Sequence, residues 1–361
     1  MTNVWVYGMF DLDNYGDCLF PLIIKSRLDG LYNNLHFVSL TGHKTQFEDS
    51  VSSISFENAE SLVNHGDIVI IGGGNVIGDF PLTFFEDQNN PYGKKFSGED
   101  LWLTAIENAF FRQAKVVISA AGAFAPLKKS TLRRWEAVRE QICYISWRDH
   151  STWRICGRRN GEYIVPDIAM DHKLIQIITG CKHIKKVDEV LVNARPRSIR
   201  NDEFQQMCKT ISRIGEKLDL KVRLIAISKS HADDRVAQEM SRHINGSVYS
   251  GRETSLCLAT LKIARSRLVI TSSLHVYIAA IAANCNSVVV ERPRYNKFKG
   301  CRSHISKSGI SVGDWSSLDG LIMSLDQAEG CIDDCQKKLD KHWNRITSIL
   351  IGNHEQQRLY Y

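Results

Sequence analysis

The stretch Leu268-Val-Ile-Thr-Ser-Ser-Leu-His-Val-Tyr-Ile-Ala-Ala-Ile-Ala-Ala283 sets a single histidine, His275, inside a run that carries no charged residue as far as Val290. A run of that length could cross a bilayer, which takes roughly 20 apolar residues. Its polar residues argue otherwise. They fall in two clusters, Thr271, Ser272, Ser273 and His275, then Asn284, Asn286 and Ser287, and polar groups inside lipid are costly. The clusters divide the run into a strand at Leu268 to Ile270, a helix at Leu274 to Ala283 and a strand at Val288 to Val290. Ser272 or Ser273 is a natural cap for the helix. His275 then stands in the first helical turn after a parallel strand, where open α/β sheets bind ligands.

The same alternation of short apolar runs with amphipathic segments extends in both directions. In the first half it predicts strands at Val4 to Tyr7, His36 to Leu40, Ile68 to Ile71, Val116 to Ser119 and Tyr144 to Ser146. The helices between them fall at Asp17 to Leu28, Leu101 to Arg112, Ser130 to Gln141 and Ser151 to Gly157, and Val165-Pro-Asp167 reads as a last strand edge followed by a turn. A second series begins near Asp188. Its further strands lie at Val190 to Asn193 and Val222 to Ile227, and its further helices at Glu203 to Leu218, Asp233 to Ile244 and Ser255 to Ala264. Leu318 to Ile351 reads as helical, its last part packing back on the first half.

With 361 residues, 43% of them hydrophobic and 24% charged, the chain has the size and composition of a soluble two-domain protein. The net charge of +6 is too small for a nucleic-acid footprint. It suits an anionic small substrate or loose contact with an anionic membrane surface. Ten cysteines are spread along the chain without a Cys-x-x-Cys pair, which points to a reducing cytoplasmic setting rather than a disulfide framework. Cys331 and Cys335 lack histidines at zinc spacing, so no metal site is expected.

Four further segments sit at strand ends. Asn14, Gly16 and Asp17 lead from the first strand into a helix, either as a turn with a cap or as a loop over the cleft. Gly72, Gly73, Gly74 and Asn75 end the third strand, and glycines there let a backbone approach a ligand closely. Their spacing is not that of a dinucleotide fingerprint. Arg148 beside Asp149 is either a structural ion pair or an anion contact, while Arg195 and Arg197 suit bidentate binding of phosphate or carboxylate.

In order along the chain, Asn14-Tyr-Gly-Asp17, Asp67 to Asn75, Ser146-Trp-Arg-Asp149, Val165-Pro-Asp167, Val190 to Arg197 and Thr271-Ser-Ser-Leu-His275 resemble the polysaccharide pyruvyl transferase family. The resemblance implies a GT-B-like α/β fold of two Rossmann-type doubly wound domains facing across a cleft. Residues 1–175 would form the acceptor side, 186–335 the donor side, and 336–361 a C-terminal helix and tail. It implies transfer of the enolpyruvyl group of phosphoenolpyruvate onto sugar hydroxyls of a cell-surface polysaccharide precursor, forming a pyruvate ketal. Phosphoenolpyruvate would serve as co-substrate with no cofactor. The glycan acceptor, lipid-linked in many such pathways, would place the enzyme in the cytoplasm at the inner membrane face.

Carried over residue by residue, His275 is the catalytic histidine with Leu274 beside it, and Arg195 or Arg197 binds the donor. Ser273 stands where the family often has arginine. A replacement charge would come from Arg292, Arg294 or Lys297, or the donor would be held differently. Two other functions fit the same architecture: a glycosyltransferase using a nucleotide sugar, and a non-catalytic glycan-binding protein.

Overall fold

A strand that is apolar on both faces can be satisfied only inside a sheet covered by helices on either side. The computed structural model, which describes residues 2–31, 34–82, 96–200, 202–294, 296–305, 307–327 and 330–358, builds two such sheets. In the first, β1 (Val4–Tyr7), β2 (Leu35–Ser39), β3 (Ile54–Ser55), β4 (Ile68–Gly72), β5 (Lys115–Ala121), β6 (Tyr144–Trp147) and β7 (Tyr163–Ile164) run parallel in the order 3-2-1-4-5-6-7. Its helices are α1 (Tyr15–Leu28), α2 (Phe56–Leu62), α3 (Ala105–Phe111), α4 (Lys129–Arg139), α5 (His150–Ile155) and α6 (Leu174–Thr179). A π turn at Asp100–Thr104 opens α3.

The second sheet contains β8 (Val187–Asn193), β9 (Lys221–Leu224), β10 (Ser266–Thr271), β11 (Asn286–Val290) and, after the β12 segment (Lys307–Ser308), β13 (Ile310–Val312). These also run parallel, in the order 13-11-10-8-9. Around it lie α7 (Phe204–Leu218), α8 (Asp233–His243), α9 (Leu256–Arg265), α10 (Leu274–Ala282) and α11 (Asn296–Arg302). The opening run is therefore divided into β10, α10 and β11, and no helix among the described residues is long and apolar enough to cross a membrane.

The structure adds short elements to the sequence reading and divides one expected helix. The short β3, β7, α2 and α6 went unpredicted because each is too brief to show a period. The helix expected over Leu318 to Ile351 is interrupted: a 3-10 segment (Ser316–Gln327) gives way to β14 (Gly330–Cys331), which pairs antiparallel with β12. Only then does α12 (Asp333–Arg358) begin. In β14 the Gly330 backbone passes close to α10, where a Cβ would stand 2.8 Å from the Ile281 side chain.

One apolar layer joins the two halves. It runs from Val4, Leu19 and Phe20 through Leu174, Leu256 and Ile278 to Trp343 and Leu350, so α1, α6, α9, α10 and α12 share a core. The last helix docks on the first sheet through His342, whose Nε2 lies 3.0 Å from the Ser119 hydroxyl and whose Nδ1 lies 3.0 Å from the Tyr144 hydroxyl. Burial, aided by Arg345, pushes the His342 pKa down to about 3. The unfolded chain therefore binds a proton that the folded protein refuses between about pH 6.5 and pH 3. The stability that this neutral histidine contributes is complete above pH 6.5 and is lost as the pH falls through that window. Replacing His342 by Gln should cost about 1–3 kcal/mol at neutral pH. Denaturant unfolding at pH 7 and pH 5 checks the linkage: the gap between wild type and H342Q should narrow at the lower pH, and a constant gap refutes it.

Candidate active site at the facing switch points

In a doubly wound sheet the chain leaves neighbouring central strands in opposite directions, opening a crevice at their carboxyl ends. The first sheet switches between β1 and β4 and the second between β8 and β10. The segments after these four strands carry Asn14 to Asp17, Gly73 to Asn75, Arg195 to Arg197 and Ser272 to His275. The two crevices face one another.

Local bonds fix that meeting. The Tyr15 N–H donates to the Ile227 carbonyl at 3.1 Å, and its hydroxyl lies 2.8 Å from that of Thr260. The hydroxyls of Ser228 and Ser230 donate to the Asp13 carbonyl at 3.2 and 3.0 Å. Asp49 accepts from the N–H groups of Leu256 and Cys257 at 2.7 and 2.9 Å, capping α9 from the opposite half. So docked, α1 starts directly against α10. A Cβ on Gly16 would stand 1.8 Å from His275 Nδ1, so no larger residue fits unless the imidazole moves.

His275 is buried, with Phe20 edge-on to its ring at 5.2 Å between centroids. Its Nε2 lies 3.6 Å from Asp167 Oδ2 and makes no hydrogen bond among the described residues. The same Asp167 oxygen accepts from Arg148 Nη1 at 3.0 Å, while Oδ1 accepts from the Ala169 N–H at 3.0 Å. Arg148 Nη2 in turn donates to Asn75 Oδ1. Burial works against charge on Asp167, but His275 and Arg148 outweigh it and hold the carboxyl well below the usual range. The result is an aspartate anchored by arginine and aimed at the histidine.

Beside this pair stands a wall of cations. The Arg195 N–H donates to Ser272 Oγ at 3.0 Å and its Nη2 to Ser273 Oγ at 2.9 Å. Ser273 occupies the cap position of α10 without capping it, and its own N–H donates to Thr271 Oγ1 at 2.9 Å. The hydroxyl that replaces the family's common arginine thus grips Arg195. Burial first, then the charges of Arg195 and Arg148, brings half-buried Lys297 down to about 7. Burial with Arg195, Lys297 and Arg197 keeps His231 neutral well below its ordinary value. Burial disfavours the charged form of each group, and the positive neighbours add to that effect.

Other expected residues lie differently. Arg294 is exposed, its guanidinium beside Gly313. Asp149 accepts from the Thr152 N–H at 2.7 Å and packs against Gly300, so it caps α5. Leu274 belongs to the shared core. Gly73 and Gly74 both have positive φ, and a Cβ on either would meet Phe20 at 3.0 Å. Gly72 passes the Ser119 carbonyl, so it too answers to protein atoms. Asp167 entered the sequence reading only within the Val165-Pro-Asp167 motif, with no role assigned, and His231 was not singled out. Both follow strands, and that position was the available signal.

Two parallel sheets with facing switch points make up the GT-B architecture. The chain belongs to the polysaccharide pyruvyl transferase family, whose profile, described as "Polysaccharide pyruvyl transferase", matches residues 14–293. No curated protein matches it. Among solved structures it is similar to UDP-GlcNAc 2-epimerase from Methanocaldococcus jannaschii, in complex with UDP-GlcNAc and UDP, at 12% identity and a TM-score of 0.58 over 97% of this chain and 99% of that one. It is also similar to an alpha-glucosyltransferase in complex with UDP-glucose and DNA, at 11% identity and a TM-score of 0.51 over 97% and 98%. At such identities the likeness is one of fold.

Gly16→Ala should drive a methyl group into the imidazole and destabilise the protein by about 1–3 kcal/mol, as overpacking does. Thermal unfolding together with the His275 ring resonances checks this, and an unshifted ring would refute the contact. Lys297 makes a second prediction. With its pKa near 7, the empty site loses a positive charge as the pH rises through neutrality. Affinity for inorganic phosphate should therefore weaken between pH 7 and pH 9, by at most about tenfold per unit, and Lys297→Met should flatten that dependence in calorimetric titrations.

Proposed function

We propose that this protein moves the enolpyruvyl group of phosphoenolpyruvate onto two hydroxyls of a cell-surface glycan precursor, forming a pyruvate ketal and releasing phosphate. The observation that carries the proposal is the His275–Asp167 pair with Arg195 held on Ser273 beside it and Lys297 close by. Phosphoenolpyruvate brings a phosphate and a carboxylate, and guanidinium and ammonium groups in a partly buried cleft suit both. The second half, with Arg195 and His275, is the donor side. The first half is the acceptor side.

The chemistry asks for one proton delivered to carbon and two withdrawn from oxygen. As the donor methylene is protonated, its π pair forms the new C–H bond and C2 becomes electrophilic. One acceptor hydroxyl attacks C2 and loses its proton. The second then closes the ketal as the bond from C2 to the phosphate oxygen breaks. Of the two hydroxyl protons, one balances that gained by carbon and the other leaves on phosphate. His275, with Asp167 Oδ2 3.6 Å from its Nε2, is the group assigned to the first transfer. No cofactor enters the scheme. A lipid-linked acceptor would bring the protein to the cytoplasmic face of the membrane, and the net charge of +6 suits an anionic surface.

A nucleotide-sugar glycosyltransferase is the second reading, favoured by fold relatives whose structures hold UDP-sugars. Thermal-shift titration separates the two, since a ligand raises the melting temperature only where it binds the folded state. Stabilisation by phosphoenolpyruvate with none from UDP is expected, and the reverse would replace the proposal. Incubation with phosphoenolpyruvate and lipid-linked glycans should yield a pyruvate adduct by mass spectrometry. His275→Gln should reduce kcat by roughly 10²–10⁴-fold, and undiminished product would remove its role. Glycan binding with no turnover would instead indicate a non-catalytic member.

A further inference from the structure

The cations around His275 all come from strand ends and helices that close the reaction centre, and Asp17 faces them from the first turn of α1. Its position is set by Gly16, the residue pressed against the His275 ring. One carboxylate oxygen, Oδ2, accepts from Asn14 Nδ2 at 2.5 Å. The other, Oδ1, lies 3.1 Å from where a Cβ on Gly74 would stand, and no donor reaches it among the described residues. The side chain is half-buried. His275 of α10, Lys297 of α11 and Arg195 after β8 all act on its charge.

An acidic group so placed has two readings. It is a counterion that merely balances the positive wall, or it handles a proton. The proton inventory of the proposed reaction requires a group that accepts from the attacking hydroxyl while His275 is still donating to carbon. His275 cannot do both in the same step. We propose that Asp17 is the catalytic base that takes the proton of the acceptor hydroxyl, and that Asp17 and His275 exchange acid and base roles within one cycle. This rests on the enolpyruvyl-transfer reading above.

In the first step the acceptor O–H bond breaks, its proton goes to the Asp17 carboxylate, and the oxygen bonds to C2. The π pair of the donor takes the proton of the His275 imidazolium. Asp17 is then neutral and His275 a free base. In the second step the other hydroxyl gives its proton to His275 and bonds to C2, the C2–O bond to phosphate breaks, and Asp17 returns its proton to the departing phosphate. Both side chains end as they began. Burial raises the affinity of Asp17 for a proton above that of an ordinary carboxyl, against the pull of Asn14, His275, Lys297 and Arg195, which suits a group that must hold the proton between steps.

Asp17→Asn keeps the shape and the Asn14 contact partner while removing the base. Expected are a fall in kcat of roughly 10²–10⁴-fold, loss of the acid limb of the kcat–pH profile, and phosphoenolpyruvate binding by calorimetry that is unchanged or tighter. A counterion alone would give tighter binding with kcat within threefold of wild type, and that result overturns the proposal. If wild type binds UDP and not phosphoenolpyruvate, the donor reading falls by itself. The kcat ratio is then measured with a UDP-sugar, whose acceptor hydroxyl must also lose its proton, and the same two outcomes decide Asp17. Wild type that turns over with neither donor overturns both.

Discussion

The approach of the Gly16 backbone to the His275 imidazole is the constraint on which the site depends. Hard-sphere contact tolerates no side chain there, and the contact exists only because two separate sheets are locked together on either side of it. The Tyr15, Asp13 and Asp49 bonds are the lock, and the apolar layer shared by α1, α6, α9, α10 and α12 supplies its strength. Sharing that layer makes the cleft a fixed feature of the fold rather than a gap between two independent bodies. Side chains held by packing on both sides need little reorganisation when a ligand arrives.

Electrostatics follow from the same enclosure. Arg195, Arg148 and Lys297 are drawn together where water screens them poorly, and the groups that can release a proton do so: Lys297 falls toward neutrality and His231 stays uncharged. The arginines cannot follow, so the empty cleft stays positive. An anion entering it would reverse these shifts, because opposite charge favours the protonated forms. Asp167, facing His275, is pinned by Arg148 and the Ala169 N–H. The imidazole thus lies with the Asp167 carboxylate on one hand and Arg195 and Lys297 on the other.

Much of this was legible from residue order. The alternation of apolar runs gave both sheets because buried parallel strands leave an unbroken apolar signal, and strand ends identified Arg195, Ser273 and His275 because that is where such sheets place ligands. What failed to show were features with no local signature. Asp167 read as a turn, Asp149 looked equal to its neighbour Arg148 although one caps α5 and the other anchors Asp167, and Arg294 looked equal to Lys297 although only the lysine faces the cleft. Neighbours in sequence point in different directions once the chain turns, and a residue list cannot say which way.

By itself the sequence determined the α/β class, the doubly wound halves and the family, since each rests on periodicity or on short motifs in a fixed order. Tertiary structure alone decided which charges meet. Ser273 shows the difference. In the sequence it is a missing arginine, and in the fold it is the hydroxyl that holds Arg195 beside His275. Side chains from residues 17, 148, 167, 195, 231, 275 and 297 act on one another only because long-range packing overcomes the entropy of bringing distant segments together, and no local pattern records that outcome.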